Sequence, residues 1–211
     1  MRRRLEKWWE ADMQEPFPWA RQASFSAETL ASLRELNRRF LDLVAAHSES
    51  PGDLNMTQET AAPIASLSQE ARAAAADCPY ALFDLRFHDD AHWRARLGES
   101  WRVADETAVA DDLTAFARLA LFYAWHLAST PKLGAQLWLG MAESTAAAFR
   151  AARLDRLPAL AASEAVNLSA RWSSSTFYWR ALISAAALGD PRRLRRVQLF
   201  GLQLGAARLL P

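Results

Sequence analysis

From Asp89 to its end the chain reads as helix after helix, with punctuation between them too short to house anything else. Segments at 90–97, 111–129, 131–154, 158–171, 175–188 and 191–209 combine helix-forming composition with apolar spacing. Their ends are marked. Gly98 and Gly189 suit left-handed caps, while Thr130-Pro131 and Asp190-Pro191 set a capping side chain ahead of a first-turn proline. Links this short favour antiparallel neighbours. Only 7 Gly and 9 Pro occur in 211 residues, and hydrophobic residues make up 51%. Both figures favour helix over sheet. The sequence therefore predicts an all-α fold, a single-domain multi-helix bundle or compact antiparallel helical array of about seven helices.

Ahead of that array the clearest helix spans 27–47, with Ser26 placed to cap it and Glu28 near its positive end. Leu30, Leu33, Leu36, Phe40, Leu41, Leu43 and Val44 fall within an arc of roughly 160° at about 100° per residue. Glu35, Arg38, Arg39 and Asp42 face away. A polar stretch at 48–59, opening with Ser48-Glu49-Ser50-Pro51-Gly52-Asp53, reads as a loop between this helix and the main bundle. A short helix follows Ser68 and stops at Cys78-Pro79. Between Tyr80 and His88 the apolar residues alternate with a period of two, yet no partner strand is evident, so 80–88 is expected to be irregular or extended. The helix at 111–129 has apolar residues around nearly its whole circumference and is expected at the buried centre. Residues 1–22 form an aromatic and basic leader, and 23–211 one helical domain.

Composition excludes several classes. A net charge of +1 gives no overall field for nucleic acid or anionic lipid, so any basic site must be local. The lone Cys78 rules out an internal disulfide and fits a reducing cytoplasm. The basic start at Arg2, Arg3 and Arg4 leads into charge and Pro16 instead of an apolar signal core. The most apolar stretch, 115–128, carries Arg118 and His126 and falls short of the roughly 20 residues a transmembrane helix needs. Only Lys7 and Lys132 of the 25 basic residues are lysine. With the abundant alanine, that bias points to a GC-rich, plausibly bacterial, coding sequence.

Chemistry-bearing patterns are sparse. In His88-Asp89-Asp90-Ala91-His92, histidines at i and i+4 could share one metal ion on a helix, with an acid between them as base. The run resembles the zincin His-Glu-x-x-His motif, with Asp in place of Glu and no third ligand in view. His88-Asp89 also resembles the doublet of the HD-type metal phosphohydrolases. That resemblance implies a further upstream His and downstream Asp, for which His47 and Asp105 or Asp111 are the candidates. His88, Asp89 and His92 are thus the metal set of a hydrolase alternative. Asp89 or Asp90 equally fits a helix cap. Cys78 has no histidine at a catalytic spacing, Ser173-Ser174-Ser175 lacks nucleophile-elbow glycines, and no phosphate-cradling glycine loop occurs. No catalytic residue is assigned and no cofactor is expected.

The remaining patterns point to contacts with other molecules. Arg192, Arg193, Arg195 and Arg196 form one face of the last helix, opposite Leu194, Val197, Gly201 and Leu204. Four cations in a first turn oppose the helix dipole and favour an anionic neighbour. Nucleic acid is the weaker candidate, because Leu199, Phe200 and Leu202 extend the side where a groove-reading helix wants polar groups. In the leader, Leu5, Trp8, Trp9 and Met13 make an apolar stripe beside the basic head. Trp172, Tyr178 and Trp179 flank a turn and could line a pocket. The expectation is a non-enzymatic interaction, adaptor or regulatory protein that meets another protein through Trp8, Trp9 and the arginine-headed last helix.

Overall fold

The computed structural model describes residues 27–98, 111–130 and 133–207. Among them the chain forms ten α-helices and one two-stranded sheet. Helix α1 (Ala27–Ala46) is amphipathic as its spacing predicts, burying Leu33, Leu36, Phe40, Leu41, Leu43 and Val44. Its outer face is knitted by Arg38 and Arg39, both donating to Glu35, and by Arg38 donating to Asp42. These two arginines hold the Glu35 carboxyl down at about 2. Exposed pairs of this kind add little to stability.

The inner face of α1 carries one polar exception. Asn37 is fully buried in the middle of the apolar arc. Its Nδ2 donates to the carbonyls of Ala76 (3.2 Å) and Tyr80 (2.9 Å), and its Oδ1 accepts from the Leu82 amide at 2.8 Å. One side chain thereby satisfies three backbone groups of a segment that Pro79 keeps from being helical. This lashes the end of α3 (Gln69–Ala76) and the chain after it to α1. Helix α2 (Gln58–Ala65) packs on α1 as well. It begins just inside the stretch expected as loop, whose remainder holds a short 3-10 turn at Pro51–Leu54. Leu54 and Met56 pin that stretch to the core.

A partner strand for the alternating segment does exist. Phe83–Asp84 (β1) pairs antiparallel with Ser169–Ala170 (β2), Phe83 opposite Ala170, and the Arg171 amide extends the ladder to the Leu82 carbonyl at 2.9 Å. Two residues are too few to register as a periodic strand, and β2 lies inside a stretch whose composition reads as helix. That helix ends early: α8 (Leu157–Glu164) passes through a 3-10 turn at Ala165–Asn167 into β2. The helix expected over 131–154 is likewise two, α6 (Leu133–Leu139) and α7 (Glu143–Ala151). The break lies at Gly140, whose φ of +70° only glycine adopts without strain.

Helix α5 (Asp112–Ala128) touches α1, α6, α7 and α8 and buries Phe116, Ala117, Leu121, Tyr123, Ala124 and Leu127. It is central but not wholly covered, since Leu119 and Phe122 are 41% and 36% exposed. Their side of the helix also holds Asp111, Asp112, Arg118 and His126, the polar residues that mark it as wet. Helix α4 (Asp90–Leu97) packs on α7, with Trp93 fully buried against Phe87 and Phe149.

Helices α9 (Thr176–Ala187) and α10 (Pro191–Ala207) pack on each other, and α10 also crosses α6. Gly201 is what lets α10 sit so close. A Cβ there would stand 2.1 Å from the hydroxyl of buried Tyr80, which accepts a hydrogen bond from Tyr178 Oη at 3.1 Å. An alanine in a helix interior normally gains about 1 kcal/mol over glycine. Here Gly201→Ala is expected to lose about 2 kcal/mol, because the clash overpacks a core that cannot give way. Chemical denaturation followed by circular dichroism checks the sign.

Candidate functional site

The outer face of α10 is built by its own capping. Asp190 Oδ1 accepts from the amides of Arg192 (3.0 Å) and Arg193 (3.1 Å), starting the helix one residue later at Pro191. Gly201 and Gly205 are buried beneath, with Leu194 and Val197 packed on the core cluster. That seating turns Arg192, Arg195, Arg196 and Leu199 outward, all exposed, with Leu199 at 55%. Arg193 pairs back to Asp190 at 3.2 Å. Arg192, Arg195 and Arg196 have no ion-pair partner among the described residues. Two further large apolar side chains stand nearby: Leu188 at the end of α9, 63% exposed, and Phe177, 71% exposed and edge-on to Phe200 at 5.9 Å. The patch thus joins guanidinium groups that are unpaired among the described residues to exposed apolar side chains.

His88, Asp89 and His92 face three different ways. His88 is exposed, with Nδ1 3.6 Å from Asp84 Oδ2. Asp89 caps α4, accepting from the His92 amide at 3.0 Å, and pairs with Arg86. The His92 ring turns inward, its Nε2 2.8 Å from Oε2 of Glu164. Among the described residues no group of three or more His, Cys, Asp or Glu is arranged to hold a metal ion. His47 instead meets Asp112 at 3.0 Å.

Glu164 is the charged residue that sequence reasoning passed over. It is fully buried at the end of α8, and Asn167 Nδ2 donates to its Oε2 at 2.7 Å beside His92. Arg96 Nε stands 2.9 Å from Oε1 as an ion pair, though off the line of a good hydrogen bond. The cluster fastens α4 to the end of α8. Its signal was present: Glu164 is the one charged residue between Leu157 and Ala170.

No family model, no curated protein and no solved structure matches this chain.

Trp172, Tyr178 and Trp179 lie in the interior, ring against ring. Trp172 meets Tyr178 at 5.0 Å and Tyr80 at 5.2 Å, and Tyr178 meets Trp179 at 5.6 Å. Trp172 adopts a φ of +53°, a left-handed conformation rare for a bulky residue, with the Arg171 guanidinium 4.6 Å over its ring. Burial pushes the Tyr80 and Tyr178 hydroxyls well above the ordinary tyrosine range and the Cys78 thiol up to about 12. Cys78 is thus a protonated, sequestered thiol donating to the Ala75 carbonyl at 3.2 Å, poorly suited to nucleophilic work.

A cavity of about 320 Å³ opens between α1 and α5. Leu43, Ala115, Phe116 and Leu119 give it apolar walls, and Asp42 and Asp112 are its acidic members. Trp8 and Trp9 lie outside the described residues, as does Ser26.

Proposed function

We propose that the protein is a non-enzymatic interaction or regulatory module whose α10 face binds an acidic surface of another protein. The observation that carries this reading is the exposed set Arg192, Arg195 and Arg196, unpaired among the described residues and set beside Leu199. Guanidinium groups at the positive end of a helix gain from an anionic neighbour, and their planar forks match carboxylates two bonds at a time. The apolar groups alongside supply the desolvated contact that a protein partner uses and a phosphate backbone does not. Arg193, already paired to Asp190, contributes to the same field, and Trp8 and Trp9 of the leader form the second arm of the contact. Among the described residues no helix is long and apolar enough to cross a membrane. The setting in this reading is the cytoplasm.

The test is affinity capture from an extract of the source cells with the full chain and with its Arg192→Glu, Arg195→Glu, Arg196→Glu variant. An acidic protein is expected on the wild type, lost from the variant and indifferent to nuclease. Capture that nuclease abolishes would assign the face to nucleic acid, and capture equal on both chains would remove α10 from the contact.

A further inference from the structure

Helix α10 rests on the core through little buried surface. Only Gly201 and Gly205 of its 17 residues are buried, so no large side chain of this helix is fully seated. Leu194, Val197, Leu202 and Leu204 pack against the core yet stay partly exposed, and Gln198 Nε2 adds one exposed bond to the Asp77 carbonyl at 2.6 Å. Elements covered this thinly open at lower free energy than the core. What α10 covers also favours opening. A Cβ at Gly205 would stand 3.6 Å from Arg171 Nη2 and 3.8 Å from Trp172 Cζ2, so these side chains lie directly beneath the helix. Trp172 Nε1 is buried with no hydrogen-bond partner among the described residues, and such a donor regains water when its cover lifts. The chain enters α10 across Gly189, at a φ of +59°, and Asp190, a short turn on which the helix can swing.

We propose that α10 is a strap that lifts and melts as one unit from the Gly189–Asp190 turn, uncovering the Tyr80 and Trp172 side chains, and that negative charge laid on Arg192, Arg195 and Arg196 holds it down. A helix of 17 residues is marginal in water once off its support, so leaving the core and losing helix go together. Charge then sets the balance. Arg195 and Arg196 stand three and four residues from Arg192, where like charges on one helix face repel, and all three oppose the dipole at the helix start. Closed α10 therefore carries a charge load that an acidic surface removes. The holding-down by a partner rests on the acidic-partner reading of this face; the lifting does not.

The chain's single thiol reports the opening. Cys78 is fully buried beside the Tyr80 and Tyr178 hydroxyls, one residue past the carbonyl that Gln198 holds, so a reagent reaches it when α10 is off. The full chain is treated with iodoacetamide between zero and about 2 M urea, and Cys78 modification is followed by intact mass. A lifting strap gives a rate that rises less than about twofold per molar urea, against at least about fivefold for global unfolding. Leu194→Ala, which removes a docking contact without a clash, should speed labelling at least about threefold. The Arg192→Glu, Arg195→Glu, Arg196→Glu variant should slow it at least about threefold, because acidic residues favour a helix start. Hydrogen exchange locates the opening: the amides of residues 195–207 should exchange as one group, ahead of those of α5. Labelling with the urea slope of global unfolding, a rate indifferent to Leu194→Ala, or α10 amides as protected as those of α5 would each overturn the strap. A triple variant labelled as fast as wild type would overturn the charge control. Failure to capture an acidic partner, by contrast, would sink the reading of the face and leave the strap standing.

Discussion

Replacing Asn37 with leucine is expected to lower the unfolding free energy by about 4 kcal/mol, as the buried Tyr80 carbonyl and Leu82 amide lose their partner at about 1–3 kcal/mol each and the Ala76 carbonyl keeps only the Cys78 amide. Leucine fits the volume and the helix, so the loss isolates hydrogen bonding from packing. The Tyr80 carbonyl and the Leu82 amide lie where Pro79 and the turn into β1 leave them no backbone partner, while the Ala76 carbonyl accepts a turn bond from the Cys78 amide at 2.7 Å. Against a total stability of about 5–15 kcal/mol for a typical domain, one side chain holds a large share. Asn37→Asp should cost at least as much. It keeps the bond from the Leu82 amide but sets a carboxylate against two carbonyl oxygens, so its penalty should grow as pH rises through the carboxylate range. Urea titration of both variants at two pH values measures this, and a loss under about 1 kcal/mol for the leucine variant would show that the segment is held by something else.

Glu164→Ala is expected to cost about 3 kcal/mol, the low end for breaking a buried pair. The low end applies because Arg96 is 35% exposed at its side chain and His92 13%, so both recover some water when the carboxylate goes. Asn167, which anchors the turn into β2, also loses its acceptor. Glu164→Gln keeps the shape and one acceptor and should cost less. Denaturant unfolding of the two variants ranks them, and an alanine variant as stable as wild type would mean that the cluster only fills space.

How much of this was legible beforehand depends on how many turns of helix each feature spans. Helix α1 could be read because seven apolar positions share one arc, and α10 because its arginines and glycines take opposite faces. The break at Gly140 and the early end of α8 could not, because alanine-rich composition continues through both and only tertiary pairing with β1 ends the helix. Asn37 and Glu164 illustrate a different gap. Each is a lone polar residue on an apolar face, a pattern that flags a buried hydrogen-bonding centre but names no partner, since their partners lie 39–45 and as many as 72 residues away. The His88 to His92 run looked like a unit in sequence, yet its two histidines meet separate carboxylates, Asp84 and Glu164, while Asp89 pairs with Arg86.

The α10 face carries the account of function, and a titration of the captured acidic partner against the full chain measures it directly. With wild type, affinity should fall at least about tenfold between roughly 50 and 200 mM salt, the mark of a charge-steered contact. The Arg192→Glu, Arg195→Glu, Arg196→Glu variant should bind at least about tenfold more weakly at the lower salt and respond less to its increase. Equal affinity of the two chains at low salt would contradict the account.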